Sequence, residues 1–233
     1  MAIVVRSKRY REREKQVDKK RVYSIDEAVE VLKNFPAGKF DETMDLNFQL
    51  GVDTKQPDGM IRGSVSLPNG SGKKVKIICF CKGEGAKDAS EAGADFVGAE
   101  ELVQKVQGGW LEFDVVVSHP DMMREVSKLG RILGPKGLMP SPKTGTVATD
   151  VGKTVRELKK GKIEIRSDKT GGLHVGCGKL SFTKDALIEN AKAVVRAVSD
   201  MKPASAKGDY IQGLSISITQ GPGMKLQLAS LLK

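Results

Sequence analysis

The chain has 233 residues, 39% of them hydrophobic and 29% charged, and its 39 lysines and arginines against 29 acids give a formal charge of +10. That length suits one large domain or two ordinary ones, and the composition permits a packed core and argues against wholesale disorder. No apolar run approaches the roughly 18 residues that span a bilayer, and the first residues lack the h-region of a secretory leader and the serine-rich, acid-poor character of a transit peptide. With two histidines and three cysteines no zinc-ligand spacing can be assembled. The expectation is a cytoplasmic protein with no metal and no cofactor, its cysteines reduced.

The positive charge is unevenly placed: +6 over residues 1–22, −4 over 23–68, +1 over 69–158 and +7 over 159–233. Basic ends around a nearly neutral middle are the footprint expected of a polyanion-binding body with a separate unit inserted in it. No basic amphipathic helix with an aromatic or leucine face is present, so nucleic acid is favoured over an anionic membrane.

In chain order, residues 6–22 are a dense run of mixed charge, read either as a solvated, partly helical arm or as a basic arm that orders on phosphates. Ser24-Ile25-Asp26-Glu27 has the form of a capping box, and Ala28, Val29, Val31 and Leu32 supply the apolar stripe of a short helix. Residues 43–52 alternate, with Met44, Leu46, Phe48, Leu50 and Val52 on one face and Thr43, Asp45, Asn47 and Gln49 on the other, which predicts a half-buried strand. A second strand is expected over 61–67. Pro68-Asn69-Gly70-Ser71-Gly72-Lys73-Lys74 resembles the end of a phosphate loop only superficially. Leu67 stands where the first glycine belongs, Lys74 replaces the hydroxyl, and a strand follows instead of a helix, so a hinge or turn is expected.

From Val75 the rhythm becomes strand-helix alternation: strands over 75–81, 94–97 and 113–117, helices over 86–92 and 99–106, and a helix after Asp121 as its cap. Near-continuous apolar strands joined by helices imply a parallel sheet covered on both faces. Cys79 and Cys81 share one face of the first of these strands. Gly83-Glu84-Gly85 is a fragment of the dinucleotide fingerprint, with Asp88 where the third glycine belongs. No Ser/His/Asp, Cys/His or paired-carboxylate spacing suggests catalysis, and His119 before Pro120 reads as a strand-end residue.

Residues 130–146 hold four glycines and three prolines, which rules out a continuous helix or central strand. Ile132, Leu133, Leu138 and Met139 would anchor the stretch, and Arg131, Lys136 and Lys143 make it purely basic. It reads either as a rigid connector or as a functional loop. A helix over Val151, Val155 and Leu158 ends at Gly161. Residues 163–167 and 173–175 then read as a hairpin whose turn gathers Arg166, Lys169, Thr170 and His174. Thr183 caps an amphipathic helix. Residues 214–219 alternate strictly, with Ser215, Ser217 and Thr219 in one file leading into Gln220-Gly221-Pro222. Such a file suits an RNA minor groove, where 2′-hydroxyls and phosphates are read at close range; the alternative is an edge strand with its polar face in water. Aromatics are 5% and scattered, so a base-stacking platform is not expected and folded RNA is the better target.

Several of these stretches together resemble the bacterial-type large-subunit ribosomal protein L1 family. The resemblance is most specific in Met122-Met123-Arg124, in Gly130 through Pro140 and in Pro142 through Val147. It is supported by Lys39-Phe40-Asp41-Glu42-Thr43, Asp168-Lys169-Thr170-Gly171 with His174, Lys202-Pro203 to Lys207-Gly208-Asp209-Tyr210, and Thr219 with Gly221-Pro222-Gly223. It implies a two-domain fold. Residues 1–68 and 159–233 would form a split α+β rRNA-binding domain, and 69–158 an inserted three-layer, Rossmann-like α/β domain. It also implies a non-enzymatic protein of the large ribosomal subunit that holds rRNA at a mobile stalk, assists release of deacylated tRNA from the exit site, and can repress its own messenger. The implied rRNA contacts are Phe40, Thr43, Arg166, Lys169, Thr170, His174, Ser217, Thr219 and Gly221, with Asp168 and Ser215 alongside them. Arg131, Lys136 and Lys143 mark a functional loop of the middle domain. Gln220 departs from the family's usual methionine, and Ser141 from its asparagine or aspartate. The implied partners are large-subunit rRNA, exit-site tRNA and the protein's own mRNA, with no membrane and no homo-oligomer. The rival reading is a nucleotide-binding protein or enzyme built on the middle α/β segment.

Overall fold

The computed structural model describes residues 6–36, 38–53, 59–203, 206 and 208–231. The chain divides into two compact units, Met1–Gly72 with Ile165–Lys233, and Lys73–Glu164.

The first unit is built on a five-stranded sheet in the order β1-β10-β9-β2-β8. The strands are β1 (Val22–Tyr23), β2 (Thr43–Leu50), β8 (Gly172–Lys179), β9 (Ile211–Ile218) and β10 (Met224–Leu226). β2 runs antiparallel to both β8 and β9. The alternation seen in the sequence decides which face is buried. Met44, Leu46, Phe48 and Leu50 of β2, and Leu214, Ile216 and Ile218 of β9, all point inward. Two helices cover that face. α2 (Ile25–Lys33) buries Ala28, Val29 and Leu32 and starts with a complete Ser24–Glu27 capping box. α8 (Lys184–Asp200) buries Leu187, Ala191, Val194, Val195 and Val198, and Thr183 caps it by accepting from the Ala186 N–H. Each of the valines and leucines contributes roughly 1.5–3 kcal/mol on leaving water.

Three expectations for this unit are corrected. Residues 6–22 are not a free arm: α1 (Lys8–Lys15) is folded in place, and its Arg13 is wholly buried. A helix this polar has little apolar stripe of its own, so a buried ion pair holds it instead. β9 is not an edge strand but lies between β10 and β2. Residues 163–167 and 173–175 do not form a hairpin. β7 (Lys162–Arg166) joins β3 (Arg62–Ser66) in a separate two-stranded sheet, and β8 is taken by β2. Only a single Ser167–Leu173 bridge links the two segments. The physical reason is the apolar file Leu173, Val175 and Cys177, which reaches the core only by pairing along β2.

The turn at 68–72 is organised by Asn190, a fully buried residue of α8. Its Oδ1 accepts from the Asn69 N–H at 3.0 Å, and its Nδ2 donates to the carbonyls of Gly70 at 3.0 Å and Cys177 at 2.7 Å. Gly70 and Gly72 take positive φ of 74° and 69° there, a region open to glycine at no steric cost.

The second unit carries a parallel sheet, β4 (Ile77–Phe80), β5 (Phe96–Gly98) and β6 (Val115–Ser118), in the order β5-β4-β6. Ile78, Phe80 and Val116 pack with Val106 of α4 (Glu100–Gln107), Val126 of α5 (Met123–Ser127) and Leu133 of α6 (Gly130–Leu133). On the other face Ile77, Cys79, Cys81 and Val117 pack with Ala89 of α3 (Glu84–Glu91) and with Val151, Val155 and Leu158 of α7 (Val151–Lys160). The three cysteines are free and buried. Burial raises the thiol pKa of Cys79, Cys81 and Cys177, which keeps them unreactive. Asp121 is not the cap expected of it. Pro120 opens a short 3-10 turn, Pro120–Met122, whose cap is His119, with Nδ1 accepting from the Asp121 N–H. Among the described residues no helix is long and apolar enough to cross a membrane.

Candidate nucleic-acid interface

With α2 and α8 on one face of the five-stranded sheet, the opposite face is left to polar residues. β2 contributes Thr43, Asp45, Asn47 and Gln49, β9 contributes Ser215 and Ser217, with Thr219 in the turn just after it, and β8 contributes His174. Asn47 stands opposite His174 on one side and Ser215 on the other. Its Nδ2 donates to Ser217 Oγ at 3.1 Å, while its Oδ1 lies 2.7 Å from His174 Nδ1. Three strands are thereby tied together on the face that the helices do not cover.

At one end of this face is the turn before β8. Asp168 Oδ1 accepts from the N–H groups of Thr170 at 2.8 Å and Gly172 at 2.7 Å, and from Thr170 Oγ1 at 2.8 Å. The hydrogen bond from the Thr170 hydroxyl, then those from the Gly172 and Thr170 amides, hold the Asp168 carboxyl below its usual range. With its acceptors so engaged, Asp168 builds the turn that displays Thr170 and Lys169. Gly171, at φ 81°, passes close against β2; an added Cβ would sit 2.8 Å from the Leu50 carbonyl oxygen. A hollow of about 530 Å³ opens here, lined by Asn47, Asp168, Thr170, His174 and Ser215. Arg166, exposed at the end of β7, and Lys169 do not line it.

At the other end, Thr43 and Thr219 are locked together. The Thr43 N–H donates to Thr219 Oγ1, and the Thr219 N–H donates to the Thr43 carbonyl, each at 3.1 Å. Lys179 Nζ adds a bond to Thr43 Oγ1 at 3.0 Å. Phe40 stands half exposed nearby in sequence. Past Thr219 the chain turns sharply: Gln220 has φ 58°, the one non-glycine residue with positive φ among those described, and the Gly221 N–H returns to the Ile218 carbonyl at 2.8 Å. Gly221 has no room for a side chain, since a Cβ would meet Ile218 Cγ1 at 2.6 Å. Arg9 Nη2 of α1 donates to Gln220 Oε1. The two ends of β2, Thr43 and Leu50, are separated by about 23 Å at the usual strand rise of about 3.3 Å per residue.

Of the expected residues, Asp168, Thr170, His174 and Ser215 come together at one end, and Thr43, Thr219 and Gly221 at the other, with Ser217 joined to the first group through Asn47. Residues 204, 205 and 207 of the Lys202–Tyr210 stretch lie outside the described residues. Arg131, Lys136 and Lys143 belong to the second unit, where all three are exposed. Their loop is anchored by buried Leu133 and by a Ser141–Thr144–Thr146 cluster, in which the Ser141 N–H donates to Thr146 Oγ1 at 2.8 Å. Sequence reasoning passed over Asn47 and Arg9. The alternation of β2 had already put Asn47 on the polar face, but nothing local pairs Arg9 with a residue 211 positions away. Among the described residues there is no group of three or more His, Cys, Asp or Glu able to hold a metal.

The sequence pattern of the Ribosomal protein L1p/L10e family matches residues 32–222. The chain is 52% identical over 221 residues to the large ribosomal subunit protein uL1 of Kosmotoga olearia (strain ATCC BAA-1733 / DSM 21960 / TBF 19.5.1), covering 95% of this chain and 96% of that protein. It is 53% identical over 222 residues to the protein of the same name from Protochlamydia amoebophila (strain UWE25), covering 95% and 94%. The family is one of ribosomal proteins, not of enzymes. On the match across residues 32–222 and identity above one half along 95% of its length, this chain belongs to the ribosomal protein L1 family, bacterial type.

Proposed function

We propose that the chain is a structural constituent of the large ribosomal subunit in the cytoplasm, bound to rRNA at the mobile stalk through the unit made from both chain ends. The observation that carries this reading is the uncovered sheet face, where Thr43, Asn47, Ser215, Ser217, Thr219 and His174 form a continuous polar surface in a family of ribosomal proteins. Small donors and acceptors on a rigid sheet suit the shallow minor groove of folded RNA. Phe40, Arg166, Lys169, Thr170 and Gly221 are taken as further contacts, with the cations on phosphates and the hydroxyls and backbone reading shape.

Two domains serve this role. The split α+β unit grips the rRNA, and the inserted three-layer α/β unit carries Arg131, Lys136 and Lys143 toward exit-site tRNA, whose release it assists. The same sheet face binds the protein's own messenger when rRNA is scarce and represses translation. The chain acts as a monomer without cofactor.

The test is binding of the full chain to a transcript of the stalk region of large-subunit rRNA. With about five phosphates neutralised, log affinity falls against log salt with a slope of roughly −4. A slope near zero, or equal affinity for an unrelated RNA duplex, overturns the reading.

A further inference from the structure

β5 is the outer strand of the parallel sheet in the second unit, paired with β4 alone among the described residues. The Gly98 carbonyl accepts from the Cys81 N–H at 3.2 Å. A strand turns alternate peptide groups to opposite sides, so the Val97 N–H and C=O point away from β4 and have no strand to pair with among the described residues. Beside this edge Trp110 packs edge-on against Phe96, ring centroids 4.7 Å apart, and tilts against Phe113 at 5.6 Å. Trp110 and Leu111 are half-buried, and the indole N–H donates to no group among the described residues. A rigid aromatic shelf with a free donor is the usual anchor of a protein contact. The surroundings are acidic. Residues 88–114 hold seven acids and one lysine, a charge of −6 in a chain of +10, and all seven acids are exposed. Lys82 pairs with Glu100 at 2.7 Å and Lys159 approaches Asp95 to 3.7 Å, but Glu91, Glu101 and Glu112 have no ion pair among the described residues.

We propose that the β5 edge and its Trp110 shelf form a docking surface for an extended, arginine- or lysine-rich segment of another protein, which adds to the sheet as a further strand. Charge decides among the occupants that a free edge could take. A nucleic acid is repelled by so acidic a face, and a second copy of this chain would bring the same acids against themselves. A cationic polypeptide is attracted by both. It also offers main-chain groups to Val97, aliphatic stems to the Trp110–Leu111 shelf and a guanidinium to the face of the indole. Phe96-Val97-Gly98 carries neither lysine nor proline, the usual guards against strand addition. This surface lies in the second unit and uses no residue of the sheet face proposed to hold rRNA, so it does not rest on that reading.

The experiment uses the full chain at low salt, where surface charge is least screened. The probe is the synthetic peptide acetyl-Arg-Thr-Arg-Val-Arg-Thr-Arg-amide. One control has glutamate in place of each arginine, and a second is the arginine peptide N-methylated throughout, which keeps the charge and removes the main-chain donors. Trp110, the only tryptophan, reports binding by fluorescence, and amide exchange reports on Val97. The arginine peptide is expected to shift Trp110 emission saturably and to slow exchange at Val97, and both controls to bind more weakly. Glu101→Lys with Glu112→Lys is expected to weaken the arginine peptide about tenfold with circular dichroism unchanged, the scale of a few exposed charge contacts reversed. Glu101→Gln with Glu112→Gln gives a smaller loss in the same direction and serves if charge reversal disturbs the fold. The proposal is overturned if saturating arginine peptide leaves Val97 exchange unchanged, if the N-methylated peptide binds equally well, or if neither double variant loses affinity. Protection of Val97 by a stalk-region rRNA transcript, or by raised protein concentration without peptide, also overturns it, since RNA or a second copy would then hold the edge.

Discussion

Arg13 Nη2 lies 2.8 Å from Glu42 Oε1, with both side chains closed off from water. The same guanidinium donates to the Pro36 carbonyl at 2.5 Å, and Arg9 stands 3.9 Å from the carboxylate. This pair fastens α1 beside the segment that carries Phe40 and Thr43. It is incompletely satisfied: Arg13 Nε and Nη1 and Glu42 Oε2 have no hydrogen-bond partner among the described residues. Breaking one half of a buried pair leaves an uncompensated charge at a cost of about 3–5 kcal/mol, whereas replacing both halves by apolar groups is often neutral or stabilising. Arg13→Ala is therefore expected to destabilise the first unit by that amount, and Arg13→Met with Glu42→Leu to recover most of it. Amide exchange in β2 and β9 is the measurement, because Trp110, the only tryptophan, reports on the second unit. Equal destabilisation by the single and double variants would contradict this account.

Thr219 holds the Thr43 N–H through its hydroxyl. Thr219→Val leaves that donor unpaired and removes a polar group from the proposed interface. An affinity loss of about 1–3 kcal/mol for the rRNA transcript is expected, with the fold retained by circular dichroism. An unchanged dissociation constant would remove Thr219 from the interface.

Asn190 serves three backbone groups from one side chain. Asn190→Ala is expected to cost about 2–4 kcal/mol, since each buried group left unsatisfied costs about 1–3 kcal/mol and water relieves part of the sum. Loss of amide protection is expected first at Asn69. Urea unfolding with an unchanged midpoint would show that solvent replaces the side chain fully.

The Asp168 carboxyl, held below its ordinary pKa by the Thr170 hydroxyl and by the amides of Gly172 and Thr170, makes the turn acid-sensitive. A depressed carboxyl pKa means stability that is present above the unfolded value of about 3.9 and lost as pH falls through the folded value. Exchange at the Gly172 amide is expected to accelerate as the pH falls through that window. In Asp168→Ala, which lacks the carboxylate, that amide is expected to exchange quickly at every pH.

Tyr210 is buried, its hydroxyl has no hydrogen-bond partner among the described residues, and burial pushes its pKa up to about 12. An acidic group with a raised pKa favours the folded state while protonated, so stability is lost as pH rises from the ordinary value of about 10 to about 12. Tyr210→Phe is expected to be neutral or slightly stabilising at pH 7 and to lose this alkaline component. Thermal melts at pH 8 and pH 11 compare the two.

Much of this architecture is local in origin and could be read one segment at a time. The capping box at Ser24, the alternation in β2 and β9, the buried parallel strands at Val115–Ser118 and Ile77–Phe80, and the glycine end of α7 each follow from residues within a few positions of one another. The Thr219-Gln220-Gly221 turn and the exposed cations at 131, 136 and 143 were legible in the same way. Where long-range partners decide, local pattern misleads. β7 and β8 look like a hairpin because they are adjacent, yet each pairs with a strand more than 90 positions away, since a separate apolar surface waits for each. The charged run at 6–22 looks solvated until Glu42 closes over Arg13.

What the sequence determined by itself was the alternation of polar and apolar residues, and with it which side chains could face water. Only the tertiary structure decided that Asn47, His174 and Ser217 would meet, because strand pairing sets the register of β2 against β8 and β9, and a slip of β2 by one residue would have turned Asn47 into the core and away from the other two.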